Sequence, residues 1–213
     1  MDDVLKDKLV ALASDKIMNK DTSHDFRHAL RVLANAEMIA GYEKADMDIV
    51  VPAALFHDMV VYPKNSPKSK KSADESAEKA QKILTKINSF PREKIKDVCD
   101  AIRTCSFSKG IVPSTIEAKI LQDADGLEAT GAVSVMRTFS STGQMKRLFY
   151  ALEDPFCRKR KPDDLKYAID LFYTRLLKVA GRMHTKSARK IAERRTVFLR
   201  EFLKEIRLEL DGK

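Results

Sequence analysis

The chain has 213 residues, enough to bury a sizeable core without disulfides or a structural metal. Hydrophobic residues make up 44% and charged residues 33%, which excludes a disordered chain, and no apolar run approaches the roughly 18 residues of a membrane span. The net charge of +9 sits at one end: from Arg158 onward there are 17 basic and 8 acidic residues, whereas the first 157 residues are neutral.

Glycine and proline number 7 each, few enough to favour helices over tight turns. Residues 3–18 carry a helical stripe of Val4, Leu5, Leu9, Leu12 and Ile17. Asp21-Thr22-Ser23 follows as a turn and N-cap candidate, and His24 to Ala40 is a strong helix with Gly41 as its expected stop. Ala45 to Val61 is apolar nearly all round, which marks a buried helix, with Pro52 in its first turn or at its start. Residues 62–72, rich in lysine, serine and proline, are a loop.

Helices are expected again over Asp74–Ile87, after Pro91, and over Thr115–Gly131, with Val133–Phe139 continuing after a break. Residues 140–164 form a loop-rich excursion with a basic run, Arg158 to Lys161. Asp164–Val179 and Thr185–Leu210 are the closing helices. No strand pattern stands out, so the fold class is all-α, as one domain over residues 1–213 with a core of about 20–140 and basic helices over 164–211. Cys99, Cys105 and Cys157 lack metal-type spacing and read as reduced thiols. The acidic N-terminal stretch is unlike an export signal, so the expected location is cytoplasmic, with no membrane partner.

Only four histidines occur, and three lie in the first 57 residues. His24-Asp25-x-x-His28 opens one helix, His57-Asp58 ends the buried apolar one, and Asp123-Ala124-Asp125 lies inside a third. An adjacent imidazole and carboxylate are costly to bury unless each is satisfied. Separate core or cap hydrogen bonds would satisfy them one by one. Two imidazoles and two carboxylates would together suit a divalent ion such as Mn²⁺, Fe²⁺, Co²⁺ or Mg²⁺, and the lack of nearby cysteine argues against structural zinc. An ion held with open positions can activate water and polarise a phosphoryl group.

These segments, with Glu75-Ser76-Ala77, Asp125-Gly126-Leu127 and the tail Phe198-Leu199-x-Glu201-Phe202-Leu203, resemble the HD superfamily of metal-dependent phosphohydrolases, in particular its stand-alone bacterial and archaeal hydrolases. The resemblance runs through most of the chain. It implies a helical bundle of about eight to ten helices around one metal site, with His28, His57, Asp58 and Asp125 as ligands of one divalent ion (Mn, Co, Ni, Fe or Mg). The resemblance favours Asp125 over Asp123, because the family's last ligand precedes one residue and then Leu, as in Asp125-Gly126-Leu127; Asp123 lies roughly 200° away round the helix, so both cannot easily face one ion.

Asp58 also counts as catalytic in this reading. His24 can contact phosphate or orient water, and Glu75 can act as base, although Met59-Val60-Val61-Tyr62 replaces the acidic pair that some relatives carry there. Lys64, Lys68 and Lys71 on the loop, with Arg31, are the substrate-binding candidates, suited to a polyphosphate or nucleotide. The expected activity is hydrolysis of nucleotides or other small phosphate esters by metal-activated water, as pyrophosphohydrolase or phosphatase. A homo-oligomer is compatible with the sequence. Two rivals remain: a non-catalytic, metal-stabilised nucleic-acid module using the basic C-terminal quarter, and a signalling-nucleotide phosphodiesterase.

Overall fold

The computed structural model describes residues 1–17, 25–62, 66–106 and 110–213. Among these it contains nine α-helices and no named strand, so the protein is all-α. The chain divides into two compact units, Met1–Asp125 and Gly126–Lys213.

The first unit holds α1 (Asp3–Lys16), α2 (Phe26–Glu43), α3 (Met47–Phe56), α4 (Ser72–Leu84), α5 (Ile95–Thr104) and most of α6 (Ile116–Leu127). Its centre is α3, which touches α1, α2, α4 and α5. Every residue from Ile49 to Phe56 is buried, as the uninterrupted apolar run requires. Burial of a side chain such as Phe56 or Leu55 contributes about 2–3 kcal/mol. Around it, α2 presents the spaced stripe Ala29, Val32, Leu33, Ala36, Ile39 and Ala40.

The start of α3 is fixed by charge. Asp46 caps it by accepting the Asp48 amide at 2.9 Å. Lys94, at the lead-in to α5, bridges Asp46 (2.8 Å) and Asp48 (2.6 Å), and these bonds hold its ammonium above the ordinary lysine range.

Several boundaries differ from the sequence expectation; Gly131, expected to close a helix, opens one that runs on to Gln144, past the expected loop start at 140. The helix α2 runs through Gly41 to Glu43, and Lys44 instead takes the left-handed conformation (φ 55°), its amide closing on the Ala40 carbonyl. In α3, Pro52 lies in the interior, five residues beyond Met47, and the helix ends at Phe56 rather than Val61. The missing proline N–H leaves the Asp48 carbonyl without its usual intrahelical donor, and packing on every side outweighs that loss. Over 164–179 the single expected helix is broken into α8 (Asp170–Thr174) and tight 3-10 turns, because Asp164 and Asp170 are tied into other contacts. The proposed cap at 21–23 lies outside the described residues.

The second unit comprises α7 (Gly131–Gln144), α8 and α9 (Lys186–Leu210). Its core gathers Phe156, Ile169, Phe172, Leu176, Leu199 and Leu203. Gly131 opens α7 at φ +67°, and a Cβ there would meet the Arg195 side chain at 3.2 Å. The same Arg195 donates to the Leu127 carbonyl (3.2 Å) at the end of α6. The excursion between α7 and α8 is organised by a parallel bridge between Leu148 and Tyr167.

Candidate metal centre

Three helices deliver the candidate site. His28 sits on the first turn of α2, which Asp25 caps by accepting the His28 amide at 2.8 Å. The short Asp side chain at the N-cap therefore fixes the backbone of the histidine three residues on. His57 is the C-cap of α3, so it stands at the end of the most deeply buried element, with Asp58 next to it. Asp125 comes from the last turn of α6. Asn35, two turns along α2 from His28 and buried, donates to the Ala124 carbonyl at 3.4 Å, beside Asp125.

Both imidazoles are buried, while the side chains of Asp58 and Asp125 are 24% and 34% exposed. The site is thus closed on its histidine side and open on its carboxylate side. The Nε2 atoms of His28 and His57 are 3.3 Å apart. Asp58 Oδ2 lies 3.6 Å from each of them, and Asp125 Oδ1 lies 3.5 Å from His28 Nε2. One ligand atom from each of His28, His57 and Asp125 falls within 4.8 Å of the others. On α6 the carboxylate in this group is that of Asp125; Asp123 is buried on the same helix.

The proton on His57 can be placed by chemistry. Its Nδ1 is 2.7 Å from the Ala54 carbonyl, which can only accept, so Nδ1 carries the hydrogen. The other ring nitrogen, Nε2, faces His28. The observed edges of 3.3–3.6 Å match the spacing of neighbouring donors around an ion with bonds of about 2.1 Å, which is about 3.0 Å in an octahedron and about 3.4 Å in a tetrahedron. Two nitrogens and two carboxylates, rich in lone pairs and poor in protons, fit a divalent cation of the Mn, Fe, Co, Ni or Mg class.

The other sequence candidates lie on several elements. Glu75, on the first turn of α4, accepts a 2.7 Å hydrogen bond from the Tyr62 hydroxyl. That bond stabilises the neutral phenol and raises its pKa above the usual value. The next residue, Ser76, is buried and accepts the Val60 amide at 3.0 Å, which ties α4 to the turn just after Asp58. Lys68 and Lys71 are exposed on a 3-10 helix, Pro67–Lys71, and Arg31 is half-buried on α2. His24 and Lys64 lie outside the described residues.

Sequence reasoning passed over Asp25, Asn35 and Tyr62 as contributors. The spacing Asp25-x-x-His28 is an N-cap signal in its own right and could have singled out Asp25. Nothing local marks Asn35 or Tyr62, whose partners lie on other helices.

Comparison with known proteins identifies the family. The HD domain family model matches residues 25–130. YpgQ of Bacillus subtilis (strain 168) is 29% identical over 202 residues, covering 92% of this chain and 89% of YpgQ. The crystal structure of YpgQ in complex with ADP superposes with a TM-score of 0.72 at 28% identity, covering 96% of this chain and 94% of that one. An HD-superfamily hydrolase from Bacillus thuringiensis gives a TM-score of 0.73 at 26% identity over 99% and 98% of the two chains. No helix among the described residues is long and apolar enough to cross a membrane. With its His, His-Asp and Asp segments on three helices and these relatives, the chain is an HD-domain protein and belongs with the stand-alone HD-superfamily hydrolases.

Proposed function

We propose that this protein is a divalent-metal-dependent phosphohydrolase whose substrates are nucleotides or closely related small phosphate esters. The observation that supports the reading is the group formed by His28, His57 and Asp125, with Asp58 Oδ2 3.6 Å from both imidazoles. The ADP bound by YpgQ supports a nucleotide as the ligand class. A bound divalent ion supplies Lewis-acid polarisation of a phosphoryl oxygen and lowers the pKa of water.

The residues of the chain do the rest. His57, locked in one tautomer by the Ala54 carbonyl, presents a preformed donor, and Asp25 sets the backbone of His28. Asp58 and Asp125, on the open side, leave room for a phosphate to approach between protein and solvent. Glu75 is the proposed proton-transfer group, oriented by Tyr62. Lys68 and Lys71, exposed on their 3-10 helix, and Arg31 on the His28 helix are the proposed groups that offset phosphate charge. His24 and Lys64 complete the proposed set of phosphate contacts.

The test is release of phosphate and pyrophosphate from a panel of nucleoside mono-, di- and triphosphates with Mn²⁺, Co²⁺, Ni²⁺ or Mg²⁺, beside an Asp58→Ala control. Metal-dependent release that disappears in the control is expected, and the product identifies the bond cut. Turnover undiminished in Asp58→Ala would refute the site. Silence from metal-loaded protein across nucleotides and small phosphate esters would refute the activity.

A further inference from the structure

Between α7 and α8 the chain turns large apolar side chains outward. Met145, Leu148, Phe149, Leu152 and Leu165 are all more than half exposed, Leu152 at 83% and Leu165 at 72%. Backbone pairing sets the Leu148-Phe149 stretch beside the one that carries Leu165: the Leu148 amide donates to the Lys166 carbonyl (3.1 Å) and the Ile169 amide to the Phe149 carbonyl (2.9 Å). Single exposed leucines need no explanation, but a group of this size on one short excursion marks a contact surface.

The charges of the same excursion are sorted by sign. Its acids are largely used within the fold. Asp154 accepts the backbone amides of Arg158, Lys159 and Arg160 at 2.7–3.1 Å. Asp170, fully buried, takes the Arg160 guanidinium in a fork (2.5 and 2.6 Å), the Cys157 thiol (3.2 Å) and the Asp163 amide (2.6 Å). Asp164 accepts the Thr174 hydroxyl and pairs with Arg175. The cations Lys146, Arg158, Lys159, Lys161 and Lys166 stay exposed, against Glu153 and Asp163. Arg160 and Lys166 both lie over the Tyr167 ring, at 4.8 and 5.1 Å, which joins the basic run to the apolar pair of segments.

Apolar side chains mixed with cations narrow the occupant. A single-stranded nucleic acid would ask for stacking aromatics, whereas four of the five apolar residues are not aromatic, and Phe149 already leans edge-on against Phe139 (5.6 Å). A second copy docked across a two-fold axis would bring two copies of this net-positive patch together. A membrane with anionic headgroups meets both requirements, taking Leu148, Leu152 and Leu165 at the acyl boundary and the cations at the headgroups. We infer that the 145–166 excursion is a peripheral docking surface for an anionic lipid membrane. Docking of this kind needs a surface, not a span, so the lack of a membrane-spanning helix among the described residues is no obstacle.

The full-length protein is mixed with phosphatidylcholine vesicles containing roughly 30% phosphatidylglycerol, or none, at about 0.1 M salt, and binding is read by flotation. Binding to the anionic vesicles alone is expected. The triple variant Arg158→Glu, Lys159→Glu, Lys161→Glu keeps the backbone amides that Asp154 holds and should bind about a hundredfold more weakly. Leu152→Ser with Leu165→Ser, at the two most exposed leucines, should lose about tenfold or more. Circular-dichroism melts confirm that both variants fold. No flotation of the wild type, or unchanged flotation of both folded variants, would overturn the inference. So would gel filtration showing a dimer that the leucine variant converts to a monomer, which would give the surface to a second copy. Salt-sensitive binding to oligonucleotides without vesicle binding would give it to nucleic acid.

Discussion

The Nε2 atoms of His28 and His57 stand 3.3 Å apart, and the Ala54 carbonyl has already claimed the His57 proton on the far side of its ring. The ring is therefore oriented with Nε2 toward the site before any ligand arrives. Replacing His57 by alanine should weaken divalent-metal binding by at least about a hundredfold, measured by titration calorimetry with Mn²⁺. His57→Ala with wild-type metal affinity would show that the ring packs without coordinating.

Asp25 is the support behind His28. Asp25→Ala removes the N-cap of α2 and should cost about 1 kcal/mol, seen as a lower midpoint in urea or heat. Asp25→Asn, which can still accept the His28 amide, should recover most of that stability. A metal affinity that falls in Asp25→Ala and returns in Asp25→Asn would link the cap to the site.

Tyr62 and Glu75 separate proton transfer from metal binding. Glu75→Gln should lower kcat by about 10²–10⁴ while leaving Mn²⁺ affinity unchanged, if Glu75 moves the proton. Tyr62→Phe should produce a smaller fall and change the pH profile, because it removes the hydroxyl that orients the carboxylate. Unchanged kcat in Glu75→Gln would transfer the role to another group.

In the second unit, stability should depend on acid through Asp170. Burial opposes its charge, but the fork to Arg160 and the Asp163 amide prevail and hold the carboxyl below its ordinary range. A depressed folded pKa gives stability that is present above the unfolded value of about 3.9 and is lost as the pH falls toward the folded one. Asp170→Asn should cost about 3 kcal/mol at neutral pH and flatten the stability curve below about pH 4. The adjacent Cys157 thiol, pushed up to about 12 by burial and its bond to Asp170, should react slowly with thiol reagents at neutral pH until Asp170 is replaced.

Gly131→Ala tests the joint between α6 and α7. The substitution places a methyl 3.2 Å from Arg195 at a positive φ, so a loss of about 1–2 kcal/mol is expected by chemical denaturation. Combining it with Arg195→Ala, which empties that space, should cost less than the sum of the two single changes.

Much of this could be read in the sequence, because it rests on local pattern. The apolar stripe of α2, the unbroken run of α3 and the His28, His57-Asp58 and Asp125 segments are all short-range signals. What escaped depends on distant partners. Pro52 reads as a helix start until neighbours on every side of α3 hold the helix together around it. The 164–179 segment has helical periodicity, yet Asp164 and Asp170 are claimed by Thr174 and Arg160, and the Leu148–Tyr167 bridge pulls the chain straight before α8. Tyr62 could not be matched to Glu75 because 13 residues and a change of direction separate them.

The burial of α3 has a kinetic consequence. The N–H groups of Val51 and of Ala53 to Phe56 sit in the middle of the first unit, so they should exchange with deuterated solvent only when the whole unit unfolds. His57 is fastened to the end of that slow segment, whereas Asp58 and Asp125 face outward. An ion could then come and go on the carboxylate side while the histidine wall stays standing. Metal exchange would run far faster than unfolding, and a chelator should empty the protein without melting it.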